Sequence, residues 1–281
     1  MTRWTTAIAV LIIAVACVNA EDAAKAEFGL VVYKLGEKYA TDDKAGETID
    51  SLADYLDKNV AGADFTRLGV RNKPADALKL FADEKKPVGV AIVSPGFYFS
   101  HKADLKLTAL AEAQRGGKDG EQYSLVGAAE MKEYPAGKKV ATSMTADLDW
   151  LNKAVLRAPE GAKPIEWVQY DNLADAGYEI IDKEDGAPDF VLVDRATLEI
   201  FAKDSDLKSL KTGLQSELLP QDLVVEVDGR LGDKRADLKK VLGALDQNEA
   251  GKKLGENLQS PKFPAPVDAR LEKVAKWYDT K

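Results

Sequence analysis

Val88-Gly89-Val90-Ala91-Ile92-Val93-Ser94-Pro95-Gly96-Phe97-Tyr98-Phe99-Ser100 is the stretch whose reading decides the fold. Its first six residues are apolar and largely β-branched, as expected for a strand covered on both faces of a sheet. Ser94-Pro95-Gly96 ends that strand, because Pro95 lacks the N–H a ladder needs and Pro-Gly is turn chemistry. A hydroxyl and free backbone N–H groups then stand at a predicted helix start, beside three aromatic rings. Ligands of open α/β sheets bind in the crevice at the carboxyl ends of strands. The stretch is therefore both an organising strand and a candidate site.

On the N-terminal side, residues 28–35 and 63–70 read as two further strands. A helix at 46–59 carries Ile49, Leu52, Tyr55 and Leu56 at helical spacing. Pro74 opens a second helix at a favourable first-turn position, with Ala77, Leu78, Leu80 and Phe81 facing inward. This strand-helix alternation predicts parallel strands joined by crossover helices. Residues 105–114 and 123–129 read as strands separated by a polar glycine loop at 115–120, expected to be a hairpin-like surface connection. That loop has neither Rossmann nor P-loop spacing.

Tyr134-Pro135-Ala136-Gly137 marks a boundary, after which the cycle restarts. Strands are predicted at 139–142, 165–170 and 189–194, and helices at 147–156, 173–181 and 196–201. Residues 207–228 return in extended form, with 224–228 a strand. The tail from 234 to 278 is mainly helical, interrupted by an extended connector at 263–267. The fold class predicted is α/β: two lobes, each a mainly parallel sheet flanked by helices.

The chain has 281 residues, with 45% hydrophobic and 31% charged, an ordinary soluble composition with room for two lobes. Residues 1–20 stand apart: Arg3, an apolar run at 7–18, then Val18-Asn19-Ala20 before Glu21-Asp22. That is the pattern of a secretory signal peptide cleaved after Ala20, and it predicts a periplasmic or extracellular location. The only cysteine, Cys17, lies inside it, and Ala14-Val15-Ala16-Cys17 weakly resembles a lipoprotein box, so a lipid anchor at Cys17 is the alternative. Without residues 1–20 the chain keeps 38 basic and 47 acidic residues, a net charge of −9, and no cysteine. Such a chain offers no disulfide and no thiolate, and its charge disfavours nucleic acid and anionic membranes.

His101 is the only histidine, which excludes a multi-histidine metal site. No G-x-S-x-G nucleophile elbow is present, and the acidic cluster at 182–185 lacks EF-hand spacing. No cofactor and no metal are expected. Trp150, Trp167 and Trp277 read as packing residues, with Trp150 able to stack on a ligand if its helix borders a cleft.

Taken together, these segments resemble the phosphate/phosphite/phosphonate-type periplasmic substrate-binding proteins of ABC transporters, which have the type II two-lobe fold. The resemblance is carried by Ser94-Pro95-Gly96-Phe97-Tyr98, by Gly137-Lys138-Lys139-Val140-Ala141-Thr142-Ser143, and by a last strand of the second lobe ending in Val193-Asp194. The tail, Ala250-Gly251-Lys252 with Phe263-Pro264-Ala265-Pro266-Val267-Asp268, matches as well. It extends over nearly all of residues 27–281. It implies lobe 1 at 27–130 plus 205–281 and lobe 2 at 138–200, with crossings near 130–137 and 201–214 and closure on a ligand by hinge motion.

What the resemblance implies about function is a non-catalytic, monomeric protein that captures a small solute for a membrane permease. A phosphate- or phosphonate-like oxyanion is the ligand class the family suggests. Presentation of the solute to a membrane receptor, or a carboxylate-based or metal-assisted hydrolase, are the alternatives. Such oxyanions are held by hydroxyls and backbone N–H groups at helix starts. The matching positions are Ser94 and Gly96 in lobe 1 and Thr142, Ser143 and Thr145 in lobe 2. Tyr33 and Tyr98 would wall the cleft, and Asp194 would accept a hydrogen bond from a ligand. The family's lobe 2 loop has a Ser-Thr-Ser-Gly-like run, whereas here Met144 and Ala146 interrupt it and Asp147 and Asp149 follow. A carboxylate ~5 Å from a bound anion costs roughly 3 kcal/mol at an effective dielectric of 20. Either these carboxylates turn away from the cleft or the ligand is not a simple phosph(on)ate.

Overall fold

The structure is a computed structural model that describes residues 25–33 and 42–279. The signal peptide expected at 1–20, with Cys17, lies outside the described residues. The first lobe opens with β1 (Ala26–Tyr33), α1 (Asp42–Asn59), β2 (Ala63–Arg71), α2 (Pro74–Phe81) and β3 (Val88–Val93). The three strands are parallel, in the order β2-β1-β3. All six residues of β3 are buried, as are the last six of β1. Continuous apolar runs are what central strands covered by helices require. Ile49, Leu52, Ala53, Tyr55 and Leu56 of α1 cover one face, and Ala77 of α2 lies in the core on the other.

The turn at Ser94 starts α3 (Pro95–His101), and β4 (Leu107–Glu112) follows. The chain then enters the second lobe through β5 (Ser124–Gly127), β6 (Lys139–Thr142), β7 (Glu166–Gln169), α4 (Leu173–Asp182), β8 (Phe190–Val193), α5 (Arg195–Lys203) and β9 (Lys211–Gln215). Their sheet order is β7-β6-β8-β5-β9. The chain returns as β10 (Leu223–Val227), which runs antiparallel between β3 and β4, and ends in α6 (Lys234–Gly243), α7 (Glu249–Asn257) and α8 (Asp268–Asp279).

Three expectations need correction. The strand at 124–127 pairs antiparallel with β8 from Ser124–Val193 to Gly127–Phe190, and with β9 on its other side. Residues 124–127 and 211–215 thus belong to the second sheet, and the crossings lie at 113–123 and 216–222, not at 130–137 and 201–214. The loop at 115–120 is accordingly part of a crossing and not a hairpin, since β4 and β5 lie in different sheets. The reason is that strand periodicity carries no information about which sheet a strand joins.

The predicted helix at 147–156 is a single π-helical segment, Trp150–Val155, preceded by a 3-10 turn at Thr145–Asp147. The Asp147 carboxylate accepts the Trp150 N–H at 3.1 Å, and Leu156 N–H reaches back five residues to the Leu151 carbonyl at 2.9 Å. The Asp147 contact is an ordinary N-terminal cap, and the five-residue spacing of the Leu156 bond is what makes the segment π-helical.

Candidate functional site

The carboxyl ends of β3 and β8 face each other across the lobes, and each strand runs straight into a helix. Ser94 Oγ accepts the Phe97 N–H at 3.4 Å, and Asp194 Oδ1 accepts the Thr197 N–H at 2.7 Å. Both are side-chain caps on first-turn donors that would otherwise lack partners. Between these two helix starts lies a cavity of about 330 Å³, the lower end of the range for small-molecule sites. Lobe 1 lines it with Ser94, Pro95 and Gly96, lobe 2 with Ser143, Asp147, Trp150 and Asp194, and the crossings with Arg115, Tyr123 and Asp222.

A second interlobe compartment of about 440 Å³ lies on the other side of α3. Its lobe 1 wall is aromatic: Phe97 stands 4.7 Å from Tyr33 and 4.6 Å from His101, centroid to centroid. Its lobe 2 wall is Thr145, Leu148, Asp149 and again Asp147.

Asp147 is thus the residue common to both compartments. It reaches lobe 1 directly: a methyl group built on Gly96 would come within 1.7 Å of Asp147 Oδ2 and 2.8 Å of Trp150 Cβ. Only glycine permits this approach, and the requirement is steric. Burial pushes the Asp147 carboxyl from 3.8 up to about 6; the Asp149 charge adds to the rise and the Trp150 N–H opposes it. The Tyr33 hydroxyl is raised strongly, first by burial and then by the Asp147 charge. Burial lowers His101, with Asp104 pulling it back up.

Of the eight residues singled out in the sequence, Ser94, Gly96, Ser143 and Asp194 line the central cavity. Tyr33 and Thr145 line the second compartment, where the Thr145 hydroxyl is engaged by Gln169 Oε1. Thr142 and Tyr98 line neither. Thr142 is fully buried, and its hydroxyl accepts the Met144 N–H at 3.3 Å. Tyr98 packs into the cores behind the cleft, its hydroxyl raised by burial and held by the Ala109 backbone. Arg115, Tyr123 and Asp222 were not identified. They sit on the two crossings, where the sequence has no periodic pattern to place them. Arg115 and Asp222 form an ion pair at 2.6 Å that ties one crossing to the other. Among the described residues no three His, Cys, Asp or Glu side chains are grouped to hold a metal ion.

Neither a protein-family model nor a curated protein matches the chain. Solved structures do. XAC2383 from Xanthomonas citri, bound to chloride ion, superposes with a TM-score of 0.67 at 11% identity, over 90% of this chain and 98% of that one. PhnD1 from Prochlorococcus marinus in complex with methylphosphonate gives 0.60 at 10% identity, over 90% and 97%. A binding protein component of an ABC phosphonate transporter from Pseudomonas aeruginosa gives 0.59 at 13% identity, over 90% and 85%. At these identities the likeness establishes the fold: two mixed sheets flanked by helices, arranged as in type II periplasmic binding proteins.

Proposed function

We propose that the chain is an exported solute-binding protein, non-catalytic and monomeric, that encloses a small molecule between its lobes and delivers it to the permease of an ABC importer. The observation that carries this reading is the cleft of about 330 Å³ between the helix starts at Ser94 and Asp194, with residues of both crossings lining it. Lobes connected through two crossing segments close by hinge motion, and a ligand held by both lobes stabilises the closed form. The sequence pattern of residues 1–20 supports export, and the single histidine with no thiol beyond residue 17 leaves little for catalysis. A phosphonate-like oxyanion is the ligand class that the sequence resemblance suggested, and the Asp147 carboxylate weighs against it.

The test is thermal unfolding of the protein lacking residues 1–20 against phosphorus oxyanions, sulfonates, amino acids, amines and sugars. A ligand present at about 1,000 times its Kd stabilises by roughly 4 kcal/mol, a shift of several degrees for a chain of this size. Small-angle scattering should show a smaller radius of gyration with the same ligand. Silence across the whole panel would overturn the reading.

A further inference from the structure

This inference rests on the solute-binding reading and names its selectivity. We propose that Asp147 determines what the cleft accepts: its carboxylate holds the seat between Gly96 and Trp150 where an oxyanion would dock, so the protein rejects phosphorus and sulfur oxyanions and takes solutes that present an ammonium group there.

Asp147 Oδ2 is packed so closely on Gly96 that no anion fits between them, and an anion beside it would meet a like charge in a poorly hydrated place. Among the described residues no Lys or Arg forms an ion pair with Asp147; its one hydrogen bond is the Trp150 N–H. This partly buried carboxylate borders both interlobe compartments and is open to a cation from either side.

The central cavity adds Asp194 and Asp222 against a single guanidinium, Arg115, already bound to Asp222. The second compartment adds Asp149 opposite the rings of Tyr33, Phe97 and His101, and aromatic faces beside carboxylates favour cations. An ammonium at Asp147 would meet negative charge on both sides and supply the absent partner.

The titratable and charged groups around Asp147 are Asp149 on its own segment, Tyr33 of β1, His101 of α3, Tyr278 of α8, and, across the cavity, Asp194 and the Arg115–Asp222 pair. Asp147, pushed up by burial to about 6, is placed to titrate in contact with such a ligand, and His101, lowered by its own burial, adds a repelling positive charge as the pH falls. Ammonium affinity should therefore be constant above pH 7 and fall about tenfold per pH unit below 6.

The experiment is calorimetric titration of the protein lacking residues 1–20, and of its Asp147→Asn variant, at pH 7.5 and 5. One panel is putrescine, spermidine, arginine, choline and glycine betaine; the other is phosphate, phosphite, methylphosphonate and ethanesulfonate; ribose is the neutral probe. The expected result is binding of at least one ammonium compound, no heat with the oxyanions, and tenfold or greater weakening by Asp147→Asn with a smaller pH dependence, the remainder being that of His101. Binding of an oxyanion or only of ribose by the unaltered protein overturns the inference and leaves the solute-binding reading standing. So does an ammonium compound whose affinity ignores Asp147→Asn. Silence in every panel overturns the solute-binding reading, and this inference with it.

Discussion

Gly96 and Asp147 meet across the lobes, and each makes a separate prediction. In Gly96→Ala the added methyl would meet the Asp147 carboxylate at 1.7 Å and Trp150 at 2.8 Å. Both must give way, the carboxylate by turning aside and the backbone at Trp150 by shifting. A loss of about 1–3 kcal/mol is expected, measured by urea unfolding. In an Asp147→Ala background the same change should cost at least 1 kcal/mol less, because the nearest clash is gone; equal costs would refute the contact. Asp147 itself weakens the fold at neutral pH. Its carboxyl is held at about 6 against 3.8, so the folded state keeps a proton that the unfolded chain releases. The stability this contributes is complete below pH 4 and lost as pH rises through 6. Asp147→Asn should therefore stabilise the ligand-free protein at pH 7.5 by on the order of 2 kcal/mol, discounted for its partial exposure, and by nothing at pH 4. The sequence made the conflict visible, a carboxylate inside an expected oxyanion loop. It did not show that the carboxylate touches Gly96, because that contact is made across the lobes.

At the scale of elements, the cleft is made by strands that turn into helices. The two caps differ in strength: Asp194 holds its donor at 2.7 Å and Ser94 at 3.4 Å. Asp194→Ala should cost about 1 kcal/mol in thermal or urea unfolding, near the centre of the N-cap range, and Ser94→Ala clearly less. If the order were reversed, Ser94 would be contributing something other than capping. These elements were legible because their signals are local: an apolar β-branched run, then Ser-Pro-Gly or an acidic cap, then helical spacing. Sheet membership was not local. Residues 124–127 carry the same alternation in either lobe, and only pairing with Val193 and Gln215 assigns them to the second sheet. The apolar spacing at 147–156 reads as a helix, and that spacing does not distinguish the π segment at Trp150–Val155 from an α-helix.

At the scale of the whole molecule, α8 lies across the lobes and bears on how far they can open. Near its start Arg270, 8% exposed, donates to both oxygens of Glu112, 3% exposed, at 2.9 and 3.0 Å, and to Asp119 of the first crossing at 2.9 Å. Glu112 also accepts the Gln221 N–H of the second crossing at 3.1 Å, so a single buried ion pair ties both crossings to one helix. Further along, Lys273 pairs with Glu217 on the second crossing, and the Tyr278 ring stands 5.4 Å from Phe99, which stacks on Trp150 of lobe 2 at 6.2 Å. A hinge this tethered should open only by letting α8 slide on one lobe. Arg270→Ala would leave Glu112 charged and buried beside both crossings, a loss of about 3–5 kcal/mol. It should also raise the ligand-free radius of gyration in small-angle scattering. The paired change Arg270→Met with Glu112→Gln removes both charges and keeps most of the volume. Its cost should be less than half that of Arg270→Ala, while the crossings stay loosened. If the double variant instead costs the sum of the two single changes, Glu112 and Arg270 act independently and the tether lies elsewhere along α8. If it is stable but no more open than the parent, the aromatic contact of Tyr278 with Phe99 is what restrains the lobes.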